Sequence, residues 1–386
     1  MKIFILLPRV PYPLEKGDKL RAFNQIKYLS ASNEIHLCAL NDTTIHHDAY
    51  HALKPYCKSL YFFELPKFSR LVNLVKVLFN GKPFQVGYFY NSSIKSRIDK
   101  IIEDVKPDRI YCQLLRVAEY VKDQKIKKTI DYQDVFSKGV ERRIPTAPFY
   151  LKHLLKIEYR RLVKYESDVF DIFENKTIIS LPDRNLIAHP RKDEIEIIPN
   201  GVDTDYYKPI DNTKEYDLLF TGNMGYPPNI NSVEFLVNSI LPIVKKEFPQ
   251  IKICIAGAKP SQKVLDLKGP NVTVTGWVED MREYYSRAKI FIAPMQIGTG
   301  LQNKLLEAMA MKLPCITSYL ANSALNALEG KEILTGNIPE EYAQYIISLL
   351  RDNQKSKILG EEGYNFVLNK YQWQAINAKL NAVICR

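Results

Sequence analysis

The chain has 386 residues, of which 46% are hydrophobic and 25% charged, a composition typical of a globular protein with about two domains. No apolar run approaches the roughly 20 residues that span a bilayer, so we expect no transmembrane helix. The formal net charge of +11 comes entirely from residues 1–195, with 34 Lys+Arg and 23 Asp+Glu, because residues 196–386 hold 20 of each. This asymmetry predicts that the first half faces an anionic partner, either a nucleic acid, an anionic lipid or a phosphorylated substrate.

Cysteine and histidine positions favour neither a disulfide framework nor a metal site. The six cysteines lie far apart, with no CxxC pair and no histidines at zinc spacing. The cluster His46-His47-Asp48 with His51 puts His47 and His51 one helical turn apart, but no third ligand is evident, so we expect these side chains to be solvated. The opening MKIFILLP is too short for the apolar part of a signal peptide and predicts a buried first strand. We therefore expect a reduced, cytoplasmic protein.

Apolar runs alternate with helical patterns along the first half. Such alternation implies right-handed crossovers and a parallel, doubly wound sheet. A turn-rich loop follows the first strand, and a helical pattern runs from Leu20 to Leu29. The predicted strands of this half are KIFILLP (2–8), EIHLCAL (34–40), SLYFFEL (59–65), DRIYCQL (108–114), KKTIDYQ (127–133) and KTIISL (176–181).

The second half repeats this alternation more regularly. Helices are predicted near residues 230–247, with Asn231 and Ser232 as plausible caps, and at 303–312. The predicted strands are YDLLFTG (216–222), IKICIAG (251–257), NVTVTGW (271–277), KIFIAPM (289–295) and PCITS (314–318). The sequence therefore predicts an α/β protein built from two doubly wound, Rossmann-like domains.

Turn signals in EIEIIPNGVDTDYYKP (194–209) indicate where the two domains meet. We place the first domain at residues 1–195 and the second at 196–371. The amphipathic last segment, about 372–386, is expected to pack back onto the first domain.

The loop before the helix at residue 303 carries the strongest chemical signal. Gly298 and Gly300 allow close backbone approach, and the first N–H groups of the helix can bind an anion. Lys304 adds a mobile cation for a phosphate, and one turn later Glu307 offers a carboxylate for two ribose hydroxyls. A diphosphate attached to a ribose would fit, although the same residues also suit an ordinary turn, a solvated lysine and a helix salt bridge.

At these residues the chain resembles the family 4 glycosyltransferases, and more particularly a bacterial subgroup that makes polysaccharides and glycolipids. The N-terminal loop PYPLEKGDKLRA (11–22) is similar to the loop that closes over the donor phosphates in that family. Four further blocks occur in the family's order, namely IPNGVD (198–203), LLFTG (218–222), GWVEDMREYYSRAKIFIAPM (276–295) and LLEAMAMKLPCIT (305–317).

The resemblance implies the GT-B fold, in which two Rossmann-like domains face each other across a cleft. It also implies retention of anomeric configuration without a metal or other cofactor, the nucleotide-sugar being a substrate. Glu307 matches the glutamate that binds the ribose, and the base would lie near Trp277 and Val278. The implied donor-binding residues are Gly17, Asp18, Gly222, Asn223, Trp277, Val278, Thr299, Gly300, Leu301, Gln302, Asn303, Lys304 and Glu307.

Three departures from the family pattern affect the donor site. Thr299 replaces the glutamate that grips the donor sugar, so the sugar is left open. Asn223 stands where an arginine is common, and the usual lysine a few residues later is missing. Phosphate binding would then depend on Lys304 and the helix N–H groups, with Lys19 or Arg21 as further candidates.

The usual histidine of the first domain is also not evident. Asp134, just after the strand at residues 127–133, is our candidate for orienting or deprotonating an acceptor hydroxyl, and Lys304 is the second catalytic candidate. The alternative is that Asp134 caps the next segment or pairs with a base. The sequence Asp203-Thr204-Asp205 has the form of a metal-binding DxD motif, but it lies in the interdomain turn and we expect it to bind no metal.

Two N-terminal stretches combine cations with apolar residues at helical spacing. They are KFSRLVNLVKVLFNGKPF (67–84) and YLKHLLKIEYRRLVKYE (150–166). Such helices can lie on an anionic membrane, which would place the protein at the inner face of the cytoplasmic membrane. The alternative is that both apolar faces belong to the core. Nucleic acid is not expected as a partner, because no recognised module is present.

We therefore predict a glycosyltransferase that moves a sugar from a UDP- or GDP-sugar to a glycan or lipid-linked glycan acceptor in the synthesis of cell-surface polysaccharide or glycoconjugate. One alternative is a GT-B nucleotide-sugar epimerase, whose catalytic carboxylates and histidine are not recognisable. The other is a non-catalytic sugar-nucleotide-binding subunit.

Overall fold

The computed structural model describes residues 1–14, 16–145, 147–298 and 300–386. The chain forms two compact units, one of Met1–Pro199 with Trp373–Arg386 and the other of Asn200–Gln372. Each unit contains one parallel sheet with helices in the crossover connections. The predicted α/β class with two doubly wound sheets is confirmed. Among the described residues, no helix has the length and apolar character that crossing a membrane requires.

The first unit contains a seven-stranded sheet in the order β3-β2-β1-β4-β5-β6-β7, and all of its pairings are parallel. Its central strands are continuous apolar runs because helices cover both faces of a doubly wound sheet. The strands are β1 Lys2–Leu7, β2 Glu34–Asn41, β3 Ser59–Glu64, β4 Arg109–Gln113, β5 Lys128–Asp131, β6 Asn175–Ile178 and β7 Glu196–Ile197.

The second unit contains a six-stranded parallel sheet in the order β10-β9-β8-β11-β12-β13. Its strands are β8 Tyr216–Thr221, β9 Ile253–Ala256, β10 Val272–Val274, β11 Ala288–Ala293, β12 Cys315–Ser318 and β13 Leu334–Gly336. In both sheets the strand order reverses beside the first strand of the unit. Such a reversal leaves a crevice at the carboxyl ends of the central strands.

Most of the helices follow strands and return the chain to the amino end of the next strand. Those of the first unit are α1 Gly17–Leu29, α2 Ala49–Leu53, α3 Lys67–Asn80, α4 Phe84–Phe89, α5 Ser92–Val105, α6 Phe136–Glu141, α7 Phe149–Ile172 and α8 Leu181–Leu186. Those of the second unit are α9 Pro227–Phe235, α10 Leu241–Val244, α11 Gln262–Leu265, α12 Met281–Arg287, α13 Asn303–Ala310, α14 Tyr319–Leu325, α15 Pro339–Arg351 and α16 Asn353–Lys370.

The last helix, α17 Trp373–Cys385, belongs to the first unit and packs against α1. Trp373, Ile376 and Leu380 are buried on its inner face. Arg109 at the start of β4 donates hydrogen bonds to the carbonyl oxygens of Ile384 and Cys385, each at 3.1 Å. The helix therefore completes the core of a unit whose other residues lie far away in the sequence.

One predicted helix start is wrong. The helix after β8 begins at Pro227 rather than near Asn231 and Ser232. Proline favours the first turn of a helix, because its φ is fixed near the helical value and the N–H that it lacks would have no partner there. Pro227 and Pro228 therefore start the helix four residues before the predicted caps. The helix then passes through a π-helical turn at Leu236–Ile240 before α10.

Candidate functional site

The predicted glycine loop lies at the switch point of the second sheet. Strand β8 has β9 on one side and β11 on the other, so the connections from these strands diverge at their carboxyl ends. Strand β8 ends at Thr221, β11 ends at Ala293, and α13 begins at Asn303 after the loop. Lys304 and Glu307, predicted to bind the donor diphosphate and ribose, therefore lie on the helix that follows this loop.

Two glycines let the backbone after β8 and β9 approach closely. Gly222 and Gly257 have φ values of +150° and +142°. A Cβ atom on Gly257 would lie 1.8 Å from the carbonyl oxygen of Gly222, and one on Gly222 would lie 3.1 Å from Lys304 Nζ. Only glycine fits at either position. The absence of a side chain at Gly222 lets the backbone after β8 lie directly beside Lys304.

The Lys304 ammonium group is held in place, which corrects the prediction of a mobile cation. Its Nζ atom donates to Asn229 Oδ1 at 2.6 Å and lies 4.1 Å from the centre of the Phe220 ring. Burial lowers the pKa of Lys304 to about 7, although the nearby Glu307 carboxylate opposes this shift. The lysine is therefore pre-positioned and can gain a proton when an anion arrives.

The Glu307 carboxylate is bound to tyrosines one turn further along α13. Tyr285 donates its hydroxyl to Glu307 Oε2 at 2.8 Å, and the same hydroxyl lies 2.9 Å from Thr221 Oγ1. Tyr207 also makes a side-chain hydrogen bond to Glu307. Burial raises the pKa of Glu307, while Tyr285 and Lys304 act in the opposite direction. The two tyrosine hydroxyls orient the Glu307 carboxylate. Ribose hydroxyls would compete with them for hydrogen bonds to its oxygens.

The start of α13 is the predicted anion-binding position. Among the described residues, no side chain caps the helix at Gln302, whose own amide instead donates to the Gly300 carbonyl at 2.9 Å. Asn303 accepts from Asn200 at 3.0 Å, and Leu301 is half-buried. Thr299 lies outside the described residues.

Three further predicted donor residues follow β8 and β10. The carbonyl of Gly276 accepts a hydrogen bond from the Gly257 N–H at 3.1 Å, so Trp277 directly follows a residue that is bound to the glycine pair. The Trp277 side chain is 70% exposed. Val278 is half-buried. Asn223 is exposed, and its carbonyl accepts from Asn229 at 2.9 Å, which links it to the lysine's partner.

In the first unit, Gly17 and Asp18 open helix α1 near the carboxyl end of β1. The Asp18 carboxylate pairs with Arg9 at 3.1 Å, and Arg9 also lies 3.5 Å from Asp42. Lys19 donates to the carbonyl of Tyr12 at 3.0 Å. This loop is therefore stabilised by contacts within its own unit.

Arg21 cannot serve as the phosphate contact that its position suggested. Its side chain is fully buried, and its Nε lies 2.7 Å from Asp131 Oδ2. The same guanidinium donates to the carbonyl oxygens of Ile198 and Pro199 at 2.8 and 3.0 Å. Tyr111 donates to Asp131 at 3.1 Å, so Arg21 is part of a buried structural network.

Asp134, the acceptor-side candidate, is exposed beyond the end of β5. Its Oδ1 accepts a hydrogen bond from the Val135 N–H at 2.7 Å. Its Oδ2 accepts no hydrogen bond from the described residues. Asp134 follows Gln133, which has φ of +61°. Asp203 accepts from the N–H groups of Asp205 and Tyr206, as a turn-capping residue does.

Sequence reasoning missed Asn229, Tyr285, Thr221 and Tyr207. Tyr285 lies on the short helix α12, and its hydroxyl reaches Glu307 across the end of β8. The only signal in the sequence is the pair of tyrosines in MREYYSRA, which does not show which ring is buried. Asn229 lies in the first turn of a helix that starts at an unpredicted position.

The comparisons with known proteins support one family. Residues 215–352 match the family described as "Glycosyl transferases group 1". An uncharacterized 44.6 kDa protein in the cps region of Klebsiella pneumoniae is 22% identical over an alignment of 401 positions, which covers 96% of each chain. The GDP-mannose-dependent alpha-(1-6)-phosphatidylinositol monomannoside mannosyltransferase of Mycobacterium tuberculosis is 23% identical over 210 residues, 48% of this chain and 54% of that protein.

The solved structure of Anabaena HepE in complex with UDP has the same fold. Its TM-score is 0.70 at 13% identity, and the match covers 100% of both chains. The two parallel sheets and their order therefore define a protein of the GT-B class. Together with the match of residues 215–352 to the group 1 family, also called family 4, they identify the chain as a glycosyltransferase.

Proposed function

We propose that this glycosyltransferase moves a sugar from a UDP- or GDP-sugar to a glycan or lipid-linked glycan acceptor, with retention of anomeric configuration. The observation that carries the proposal is the arrangement of Lys304 and Glu307, one turn apart on α13 at the carboxyl ends of β8 and β11. A cation and a carboxylate at this spacing suit the diphosphate and the ribose of one nucleotide. Trp277 is available to stack on the base.

The same arrangement supports departure of the nucleoside diphosphate. Negative charge on the leaving diphosphate increases as the bond to the sugar breaks, and the Lys304 ammonium together with the start of α13 stabilises that charge. Because Lys304 is already held by Asn229, little reorganisation is needed at that moment. No divalent ion is required in this proposal.

The relatives support the classes of donor and acceptor. The mycobacterial enzyme uses GDP-mannose and acts on a phosphatidylinositol mannoside, and HepE binds UDP. The Klebsiella relative is encoded in a cps region, which favours a role in cell-surface polysaccharide synthesis. We place the reaction in the cytoplasm, at the inner face of the membrane where a lipid-linked acceptor would be found, with Asp134 positioning the acceptor hydroxyl.

A donor and acceptor screen tests the proposal. Calorimetric titration with UDP, GDP and their common sugar conjugates identifies the nucleotide, and transfer to lipid-linked glycans is then followed by mass spectrometry. We expect one nucleotide class to bind well and its sugar conjugate to be transferred. Release of an epimerised sugar would favour the epimerase, and tight binding without any transfer or hydrolysis would contradict the proposal.

A further inference from the structure

Helix α3 (Lys67–Asn80) turns its apolar face towards the solvent. Its exposed apolar side chains are Phe68, Leu71, Val75, Leu78 and Phe79, with exposed fractions between 51% and 87%. At 100° per residue these five lie on one arc of the helix, whereas the buried Val77 lies on the opposite side. An ordinary surface helix has the reverse arrangement.

The start of helix α7 (Phe149–Ile172) continues this exposed apolar character. Leu151 and Leu154 lie on the same face as Glu158 and Leu162, which are buried against the unit. In the first two turns, Leu151 and Leu154 on this face are only partly covered. Its exposed apolar residues are Phe149, Tyr150, Leu151 and Leu154, with exposed fractions between 39% and 87%.

Arg161 joins the two helices on one side of the unit. Its guanidinium donates to the carbonyl oxygens of Val77, Leu78 and Lys82 at the end of α3, at 2.7 to 3.2 Å. Leu154 lies two turns before Arg161 on the same side of α7, about 10 Å along the helix. The end of α3 therefore lies beside the middle of α7, and the exposed apolar side chains of α3 and of the start of α7 are together called here the α3–α7 surface.

The segments that form the α3–α7 surface are basic. Residues 65–98 and 142–157 contain no aspartate or glutamate. Lys67 and Lys76 lie at the two edges of the apolar arc of α3, and Lys152 and Lys156 lie on the other side of α7. Lysine stems at such edges can extend their charged ends towards anionic groups while the apolar residues are buried.

We infer that the α3–α7 surface binds an anionic lipid bilayer, with α3 lying in the plane of the head groups and its apolar arc buried in the membrane. An in-plane helix with a hydrophobic face and flanking lysines has the chemistry for this, and α3 is too short and too charged to cross a bilayer. A second copy of the chain fits less well, because a symmetric contact would bring the same lysines together. This inference does not depend on the proposed reaction.

Sedimentation of the full chain with vesicles tests the inference. We expect binding to vesicles of phosphatidylcholine mixed with phosphatidylglycerol and much weaker binding to phosphatidylcholine alone, with loss at high salt. The double variant L71S/F79S and the double variant K67E/K76E should each lower the partition coefficient by about tenfold or more. Matched controls in the second unit are I338S/I358S, at similarly exposed apolar residues, and K245E/K246E, and both should bind like the wild type.

A fluorescence measurement reports insertion directly. The variant F79W should show a blue-shifted emission, after subtraction of the wild-type signal, when anionic vesicles are added, whereas I338W should not. The inference is overturned if the wild type does not bind anionic vesicles, or if the α3 variants bind as well as the wild type. Loss of self-association in the α3 variants without any change in vesicle binding would instead assign the surface to an interface between copies. Nucleotide binding in solution should be unchanged in every variant, which separates this test from that of the proposed function.

Discussion

Lys304 Nζ donates to the amide oxygen of Asn229 at 2.6 Å, and this contact joins the first turn of α13 to the first turn of α9. The partner is a neutral amide, so the contact orients the ammonium group without neutralising it. Burial in this position lowers the pKa of Lys304 to about 7. The proton on this lysine is therefore sensitive to pH near neutrality and to any bound anion.

Donor affinity should depend on pH through Lys304. The diphosphate of a sugar conjugate keeps its charge near neutral pH, so binding favours the protonated lysine. We expect the dissociation constant of the preferred UDP- or GDP-sugar to be lowest below pH about 7 and to rise by up to tenfold per pH unit above it. Titrations in buffers of different ionisation enthalpy should show proton uptake. K304R should bind without this pH dependence, and a wild-type constant that does not vary with pH would contradict the assignment.

The same lysine should reduce the stability of the free enzyme. Its folded pKa of about 7 lies below the ordinary lysine value, so the unfolded chain binds more protons between about pH 7 and pH 10, and stability rises with pH across that interval. Replacing Lys304 by methionine should raise the free energy of unfolding by about 2 kcal/mol below pH 7, after allowance for its partial exposure. Urea denaturation as a function of pH measures this. The variant should also lose donor binding, and a K304M protein that is less stable at acidic pH would refute the prediction.

Glu307 should govern affinity for the nucleoside part of the donor. E307Q keeps the shape but removes the charge that ribose hydroxyls would bind, so we expect the dissociation constant for the nucleoside diphosphate to rise by about tenfold to 100-fold. Calorimetry with UDP and GDP is the measurement. The exposed Glu340 supplies the control, since E340Q should bind like the wild type. Equal affinity of E307Q and the wild type would remove the ribose assignment.

Asp134 should affect turnover and leave donor binding unchanged. Its carboxylate is exposed and lies in the first unit, whereas the donor residues Lys304 and Glu307 lie in the second. For D134N we expect kcat to fall by about 100-fold with an unchanged dissociation constant for the donor. The surface variant D168N is the matched control. Normal turnover of D134N would show that Asp134 only caps the backbone after β5.

The buried pair Arg21–Asp131 should be structural. Asp131→Asn replaces the carboxylate that lies 2.7 Å from the buried guanidinium by a neutral amide, so we expect a loss of about 3 kcal/mol in the free energy of unfolding. D134N, three residues away and exposed, serves as the control in the same denaturation experiment and should unfold like the wild type. A D131N protein of wild-type stability would contradict this role.

The fold could be predicted largely because buried parallel strands have a simple signature. Runs such as YDLLFTG and IKICIAG are mostly apolar and end in glycine, and both form strands followed by glycines that lie close together. The position of Lys304 and Glu307, on a helix that follows a strand and a glycine loop, could be predicted from the same kind of pattern. Contacts between distant segments left no such signature, so the partners Asn229 and Tyr285 were missed.

Burial of charged side chains was the hardest property to predict. Arg21 stands in a polar loop-to-helix segment that resembles a phosphate-binding region, yet it is fully buried against Asp131, which is 110 residues away. The amphipathic pattern of α3 showed that one face is apolar. It could not show whether the rest of the unit covers that face, because this depends on where the neighbouring elements end.

The position of α17 has a consequence for biosynthesis. A ribosome releases the segment 1–199 long before it releases Trp373–Cys385, so the part of α1 that α17 contacts stays uncovered while the whole of the second unit is synthesised. The second unit, whose residues are contiguous, can fold during this interval. Nascent chains arrested before residue 373 should therefore bind chaperones through the first unit, and this binding should end once the final helix has emerged.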